Sequence, residues 1–269
     1  MTAREIRERA WGKLGENGGW GAAIGGVILA FVISYVINSL AQALCGVGAF
    51  AEMARNVQAG VLSQDEFVKA MPKFMGALFV VVLVAYYVNA VFRYGLSALS
   101  IAVMRGGARI GHAFSGFGKG WSTLWLMALA HLYIFCWTLL FVIPGIRAAF
   151  SYALIYLIKA DHPDWDADRC IGESKRLMEG NRWRYFCFCL SFLGWWVLGI
   201  VICCLVFLSL WNIAFSGKLE MAVVSLWMGI ILFILLLWCF RLPYFNVARA
   251  AFYEDLLDRE TTSLIDDRR

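Results

Sequence analysis

Long apolar blocks, separated by short charged segments, follow one another along the chain. No Asp, Glu, Lys or Arg occurs in residues 17–51, 74–92, 121–146, 185–217 or 221–240. A bilayer core about 30 Å thick needs roughly 20 apolar residues of helix, and lipid offers no hydrogen-bond partner to an open backbone. The pattern predicts an all-α fold, a polytopic transmembrane helical bundle of about six spans, near residues 20–43, 75–103, 121–143, 145–160, 184–214 and 221–242.

Two charged segments carry apolar residues at helical spacing. Ile6 and Leu14 share one helix face, as do Ile171 and Met178. Amphipathic helices of this kind are typical of the membrane interface, so we expect both faces to contact lipid. The predicted organisation is a single membrane domain, 1–269. It comprises an interfacial helix at 1–19, spans one and two in 20–103, spans three and four in 104–160, a cytoplasmic amphipathic helix at 161–182, spans five and six in 183–243, and a cytoplasmic tail at 244–269.

The fourth span is the weakest prediction, because Arg147 and Lys159 lie close to its two ends. Pro144 and Gly145 interrupt the helix before it, since proline lacks the backbone amide. The segment either crosses the bilayer, with both charged side chains reaching opposite interfaces, or enters and returns on one side. The distribution of the other basic residues favours a full crossing.

Lysine and arginine flank the predicted spans unequally. One side carries Arg4, Arg7, Arg9, Lys13, Arg105, Arg109, Lys119, Lys159, Arg169, Lys175, Arg176, Arg182, Arg184, Arg249, Arg259, Arg268 and Arg269. The opposite side carries only Arg55, Lys69, Lys73, Arg147 and Lys218. Because basic residues accumulate in cytoplasmic loops, both termini are predicted to lie in the cytoplasm.

Composition supports the membrane class and limits the partners. Hydrophobic residues make up 61% of the chain and charged residues 16%, with a mean hydropathy of +0.69. The net charge of +5 comes from residues beside the spans, which indicates anionic lipid headgroups as partners and no nucleic acid. A second membrane protein is an alternative partner.

Catalytic chemistry finds little support in the sequence. All 19 acidic residues lie outside the predicted spans, whereas proton-coupled transporters and intramembrane proteases typically need a carboxylate within them. The three histidines are not at metal-ligand spacing from one another, and no H-E-x-x-H, G-x-S-x-G or Walker motif occurs. We therefore expect a protein that is not an enzyme and needs no cofactor or metal.

A polar stripe in span two is the first candidate site. Tyr86, Asn89 and Arg93 recur at three- and four-residue steps on one helix face, and Ser97 and Ser100 continue it. With Arg147 and His131 from neighbouring spans, they are predicted to line a polar cavity in which Arg93 faces the bundle interior and meets an anionic ligand. The alternative is hydrogen bonding between packed helices, and His131 is interpreted as a packing residue rather than a proton relay.

The second candidate site is a motif around the start of span five. It comprises Ser174, Lys175, Met178, Gly180, Asn181 and Trp183. Gly180 or Asn181 in the left-handed conformation would end the preceding helix, and Trp183 would anchor the next span at the interface. The alternative to this architectural role is a docking surface for a partner protein.

The same segment carries a family resemblance. Residues 173–183 (ESKRLMEGNRW), 140–145 (LFVIPG), Pro243-Tyr244 and 250–254 (AAFYE) resemble the bacterial membrane family called domain of unknown function 975. The resemblance extends over about residues 114–256 and covers the first two spans loosely. It implies an integral protein of a bacterial cytoplasmic (inner) membrane, without an established activity. It assigns no catalytic residue.

Two functions therefore stay open from the sequence. The first is a non-enzymatic membrane accessory or binding component, for example in envelope maintenance or stress. The second is a transporter or permease for an anionic or lipid-like solute. A sealed interior favours the first, and a wet cavity lined by Arg93 favours the second.

Overall fold

The computed structural model describes residues 1–16, 18–61, 63–192, 194 and 220–266, and these contain no β-strand. The all-α prediction is therefore confirmed for this part of the chain. The α-helices are α1 (Ala3–Gly15), α2 (Gly19–Leu44), α3 (Val47–Gln58), α4 (Gln64–Met104), α5 (Gly120–Leu140), α6 (Val142–Ser151), α7 (Ile155–Asp161), α8 (Ala167–Met178), α9 (Arg182–Leu190) and α10 (Glu220–Asp266). Two short 3-10 helices, Ile110–Phe114 and Phe117–Lys119, join α4 to α5.

Four segments of the described chain are long and apolar enough to cross a membrane: Gly19–Leu44, Asp65–Met104, Ile110–Leu140 and Val142–Asp161. They correspond to the first four predicted spans. The predicted fifth span, 184–214, lies outside the described residues beyond its first turns. The predicted sixth, 221–242, falls within the continuous backbone of α10. The total of six spans stays a prediction.

Helix α4 extends well beyond the predicted second span. It begins at Gln64, where Ser63 and Glu66 form a reciprocal capping box, and it runs for 41 residues through Pro72. At 1.5 Å per residue its length is about 60 Å, roughly twice the thickness of a bilayer core. A bilayer core would therefore hold only about half of α4.

Apolar side chains along these helices occupy two environments. In the first, which we call the apolar belt, large side chains are exposed on residues 28–44 of α2, 75–83 of α4 and 132–146 of α5 and α6. In the second, the packed layer, side chains are buried against one another. The packed layer is formed by residues 6–14, 90–104, 154–158, 167–178 and 247–256. Helix α4 contributes to both.

The two amphipathic helices belong to the packed layer. Ile6 and Leu14 of α1, and Ile171 and Met178 of α8, are buried in the hydrophobic core. The expectation that these faces contact lipid was wrong, because α1 packs on α10 and α8 packs on α5 and α7. An apolar stripe shows that a helix needs a partner and does not distinguish lipid from protein.

The basic residues of these helices also have protein partners. Arg176 forms ion pairs with Glu173 and Glu260, each at 2.6 Å. The Arg7 guanidinium donates to the Ser191 carbonyl at 3.3 Å, and other basic side chains are considered below. The wide basic surface that the sequence offered to headgroups is thus partly neutralised within the fold.

Residues 244–266, expected as a tail, continue helix α10 into the packed layer. Phe252 and Ala251 are completely buried. Asp255, also buried, accepts hydrogen bonds from Arg184 at 2.8 Å, Arg259 at 3.1 Å and the Met1 ammonium group at 3.2 Å. This segment therefore ties the two ends of the described chain to α9.

The fourth predicted span is bent. Helix α6 ends at Ser151 and α7 begins at Ile155, so the segment consists of helices of 10 and 7 residues. At the bend, the Ser151 carbonyl accepts a hydrogen bond from the Ser174 hydroxyl of α8 at 2.7 Å. The segment is held by α8 at its midpoint. Arg147 lines one groove with Lys175 and Arg182, so its expected place on the opposite side of the membrane from them was wrong. The full crossing of this segment stays a prediction.

Candidate functional site

Four of the five predicted cavity residues lie together, on α4 and α5. The Tyr86 hydroxyl is 3.3 Å from Nδ1 of His131, which is itself 2.7 Å from the Met127 carbonyl. Nε of Arg93 donates to Oδ1 of Asn89 at 2.7 Å. His131 is thus hydrogen-bonded, as expected, but its side chain is exposed, and its role as a packing residue stays an interpretation.

Arg93 does not face the bundle interior, contrary to the expectation from the polar stripe. Its side chain is exposed, as is that of Asn89, while Ala90 and Val91 are buried. Its guanidinium lies 6.0 Å from the centre of the Tyr156 ring of α7. Ala90 and Val91 take the inward positions here and leave Asn89 and Arg93 exposed, whereas Ser97 and Ser100 farther along the stripe are buried.

The rest of the stripe bonds to its own helix. Ser97 donates to the Arg93 carbonyl at 2.8 Å, and Ser100 donates to the Leu96 carbonyl at 2.7 Å. Such bonds satisfy a serine hydroxyl locally without a ligand or a second helix. The periodicity of the polar stripe therefore does not by itself indicate a cavity.

The fifth predicted cavity residue, Arg147, lies elsewhere, in a groove between α6 and the α8–α9 turn. This groove has a volume of about 400 Å³, and its lining includes Arg147, Lys175, Glu179 and Arg182. An apolar slot of about 500 Å³ adjoins it and shares Ile143, Arg147 and Arg182. The slot is completed by Ile146, Phe150, Gly180, Trp183 and Phe186. We call the two together the α6–α9 site.

The α6–α9 site combines parts of both sequence-based candidates. Arg147 comes from the predicted cavity, while Lys175, Gly180 and Trp183 come from the predicted motif. Ser174 and Met178 of that motif are buried in the core instead. Asn181 has a structural role, since its amide donates to the Leu177 carbonyl at 3.1 Å.

A close approach of α6 to α5 forms one wall. Phe141 is extended between the two helices, and Pro144 lies in the first turn of α6, where a missing amide is tolerated. A Cβ on Gly145 would lie 2.2 Å from the Thr138 hydroxyl oxygen. Only glycine permits this contact, which fixes Arg147 and Ile146 just beyond it.

A tight turn forms the other wall. Gly180 has a φ of 75°, which is a left-handed conformation that favours glycine, and it ends α8 as the sequence predicted. The chain then begins α9, where Nε of Arg182 donates to the Ser151 hydroxyl at 2.8 Å. This bond holds Arg182 against α6 before any ligand arrives.

The polar part of the site has an excess of positive charge. Arg147, Lys175 and Arg182 stand beside a single carboxylate, Glu179. Among the residues that the structure describes, none of these four forms an ion pair. An anion would therefore meet cations that the protein has not already neutralised.

Arg176, the neighbour of Lys175 on α8, shows the opposite arrangement. Its hydrogen bond to Glu173 holds the pKa of that carboxyl below its usual range, although partial burial opposes the shift. A second carboxylate, Glu260, completes the neutralisation of Arg176. Arg176 is therefore neutralised by carboxylates of the protein, whereas the adjacent Lys175 forms no ion pair in the described structure.

The slot is aromatic and opens to the outside. Trp183 stacks on Phe186 with ring centres 5.2 Å apart, and Phe150 contacts Phe186 edge-on at 5.9 Å. At the mouth, Ile143 is 80% exposed and Trp183 is 72% exposed. Ile143 belongs to the apolar belt, so the slot opens onto the surface that the membrane would cover.

No pattern in the sequence indicated that Phe150, Ile146 and Glu179 belong to a site. Arg147 and Phe150 are three residues apart, which places them on neighbouring positions of one helix. That spacing indicated a shared helix and could not identify α9 as the opposite wall. The bend after Ser151 places α6 beside α9, and these helices form the two walls of the site.

Comparison with known proteins gives a family. The family model described as "Protein of unknown function (DUF975)" matches residues 61–260. This range includes every residue of the α6–α9 site. No curated protein and no solved structure matches the chain.

Proposed function

The chain belongs to the DUF975 family, and for this member we propose a non-enzymatic binding role in a membrane. The ligand is an anion that carries an apolar part, and it binds in the α6–α9 site. The protein is a multi-pass component of a bacterial cytoplasmic membrane with both termini in the cytoplasm. The basic asymmetry of the sequence supports this placement.

One observation carries the proposal. Three cations without ion pairs, Arg147, Lys175 and Arg182, border a slot lined by aromatic and aliphatic side chains. Charge-assisted hydrogen bonds to an anion are about twice as strong as neutral ones. A single site therefore offers strong binding to a polar group and burial to an attached chain.

The lining of the site favours binding over catalysis. It includes no histidine or cysteine and only one carboxylate, Glu179. The lining has two hydroxyl groups, those of Ser151 and Tyr152, and that of Ser151 accepts from Arg182 and donates to the Arg147 carbonyl at 2.8 Å. Acid–base catalysis needs a positioned proton donor and acceptor, and a paired Ser151 does not supply them.

Transport is the rival function, and it depended on Arg93. That residue is bonded to Asn89 of its own helix and does not line the α6–α9 site. A flux assay distinguishes the two. Proteoliposomes should not release an entrapped anionic solute faster than protein-free vesicles if binding is the function.

Dodecyl phosphate, which joins one phosphate to one alkyl chain, tests the site directly. Purified protein in neutral detergent should bind it, and the double variant Arg147→Gln, Lys175→Gln should bind at least about tenfold more weakly, as expected for the loss of two charged donors. Titration calorimetry measures both affinities.

Arg169→Gln is the matched control, because Arg169 is an exposed cation on the same helix whose guanidinium stacks on Trp165 at 4.0 Å. It should bind dodecyl phosphate like the wild type. Equal losses in the control and the double variant would refute the α6–α9 site.

A further inference from the structure

The two halves of the α6–α9 site are continuous, and this continuity defines the shape of the ligand. Arg147, Arg182 and Ile143 line both the polar groove and the apolar slot. A ligand that fills both must change from charged to apolar within a few ångströms. Soluble anions lack the apolar part, and fatty chains without a headgroup lack the charge.

The position of the mouth indicates where the ligand comes from. Ile143 and Trp183 are two of the most exposed large apolar side chains, and Phe141 and Val142 beside them are also exposed. A contiguous apolar surface of this kind is typical of a membrane or partner contact. The slot therefore opens sideways toward lipid, while Lys175 and Glu179 lie on the charged surface of α8.

Charge selects the headgroup. The three cations outnumber the one carboxylate, so a phosphate with no ammonium group complements the groove better than a zwitterion does. Arg182 is already oriented by Ser151, and a planar guanidinium is suited to two phosphate oxygens at once. Lys175 supplies a more mobile point charge on the other wall.

Three other basic residues do not offer the same site, because each is paired with a carboxylate. Arg105 is paired with Asp161 at 2.6 Å and Glu254 at 3.0 Å, Arg9 with Asp258, and Arg4 with Glu8. General attraction to an anionic surface would involve exposed cations regardless of position. At the α6–α9 site, unpaired cations and an apolar slot coincide.

We infer that the ligand of this site is an anionic phospholipid of the surrounding membrane. Its phosphodiester binds between Arg147, Lys175 and Arg182, and one acyl chain lies in the slot against Ile146, Phe150 and Phe186. This inference rests on the proposed function and adds the chemical class and the source of the ligand.

Native mass spectrometry of the full chain tests the inference. Protein released from nanodiscs containing equal phosphatidylglycerol and phosphatidylcholine should retain one phosphatidylglycerol preferentially, by at least about tenfold. The variant Arg147→Gln, Lys175→Gln should lose the preference. Arg169→Gln should keep it, because that cation lies outside the site.

A second variant tests the slot without removing charge. Ile146 is half-exposed, so Ile146→Trp is tolerated at the surface and fills the space for the acyl chain. Retention of phosphatidylglycerol should fall about as far as in the charge variant. Circular dichroism and the unfolding temperature in detergent confirm that both variants are folded.

The outcomes separate the two proposals. If dodecyl phosphate binding depends on Arg147 and Lys175 but phosphatidylglycerol is retained no better than phosphatidylcholine, the lipid inference is wrong and the binding role stands. If inorganic phosphate displaces the lipid and Ile146→Trp has no effect, the ligand is a soluble phosphate compound. If neither probe responds to the charge variant, both proposals are wrong.

Discussion

The apolar belt and the packed layer use the same side chains in opposite ways. Phe79 in the belt is 62% exposed, whereas Phe252 in the packed layer is completely buried. Both lie on long helices in sequences of similar apolar character. The difference shows that hydrophobicity predicts which helices have an apolar face to bury. Whether lipid or protein buries that face depends on contacts between segments that are distant in sequence.

Charged residues follow the same division. Ion pairs with long sequence separation, such as Arg184 with Asp255 and Arg105 with Asp161, connect the helices of the packed layer. Arg147 and Lys175 lie where the layer meets the belt. Paired charges therefore contribute to folding, and the unpaired ones at the boundary are available to a ligand.

The largest expected effect distinguishes the two regions by stability. Phe252→Ala removes a fully buried ring that contacts Tyr185 and Phe188. It should lower the free energy of unfolding by about 3–5 kcal/mol, because the cavity is only partly refilled. Reversible unfolding in mixed micelles measures the change.

Phe79→Ala is the matched control in the belt. Because Phe79 is mostly exposed, its removal should change the unfolding free energy by less than about 0.5 kcal/mol. A loss as large as that of Phe252→Ala would mean that the belt is covered by protein, and the comparison would no longer hold.

Periodicity and charge predicted much of the fold and little of its assembly. The ends of α2 and the glycine turn at Gly180 were predictable, because local sequence determines them. The burial of Ile171 was not, because α8 packs on α5, which is distant in sequence, as well as on the neighbouring α7. A lipid-facing stripe and a protein-facing stripe have the same spacing.

The candidate site shows the same limit. The polar stripe around Arg93 was correctly recognised as one helix face, but its side chains are satisfied locally. Arg147 was selected for its position in an apolar segment. Its partners Lys175 and Arg182 could be recognised only after the bend at Ser151 placed α6 beside α9.

Replacing Asp255 is expected to lower the free energy of unfolding by a smaller amount, which depends on pH. Burial alone would raise the pKa of this carboxyl, but hydrogen bonds from Arg184 and the Met1 ammonium group and the charge of Arg259 outweigh burial and lower it. A lowered pKa stabilises the fold above the usual aspartate pKa of about 3.9, and this contribution is lost as the pH falls toward the lower folded value.

Asp255→Asn should therefore cost about 1.5–3 kcal/mol of unfolding free energy at neutral pH and lose that acid-dependent component. Asp258→Asn is the control on the same helix, since Asp258 is exposed and pairs with Arg9 at 3.2 Å. Its effect should be at most about 1 kcal/mol. Urea titrations between pH 3 and 7 compare the three proteins. Identical dependence of the unfolding free energy on pH in the wild type and Asp255→Asn would show that the Asp255 carboxylate does not stabilise the packed layer.

The smallest effect on stability concerns Leu40, a belt residue on α2 that is 60% exposed. Leu40→Cys, in a background without the native cysteines, should change the unfolding free energy by no more than about 0.5 kcal/mol. A nitroxide attached there should collide with lipid-soluble oxygen and not with a water-soluble nickel complex, because lipid covers the belt.

The buried partner in this comparison is Ile171→Cys, whose thiol should resist a water-soluble maleimide until the protein unfolds. Nickel access at position 40 would place the belt in water, and rapid labelling at position 171 would open the packed layer. Either result would remove the distinction on which the lateral entry of a lipid into the α6–α9 site depends.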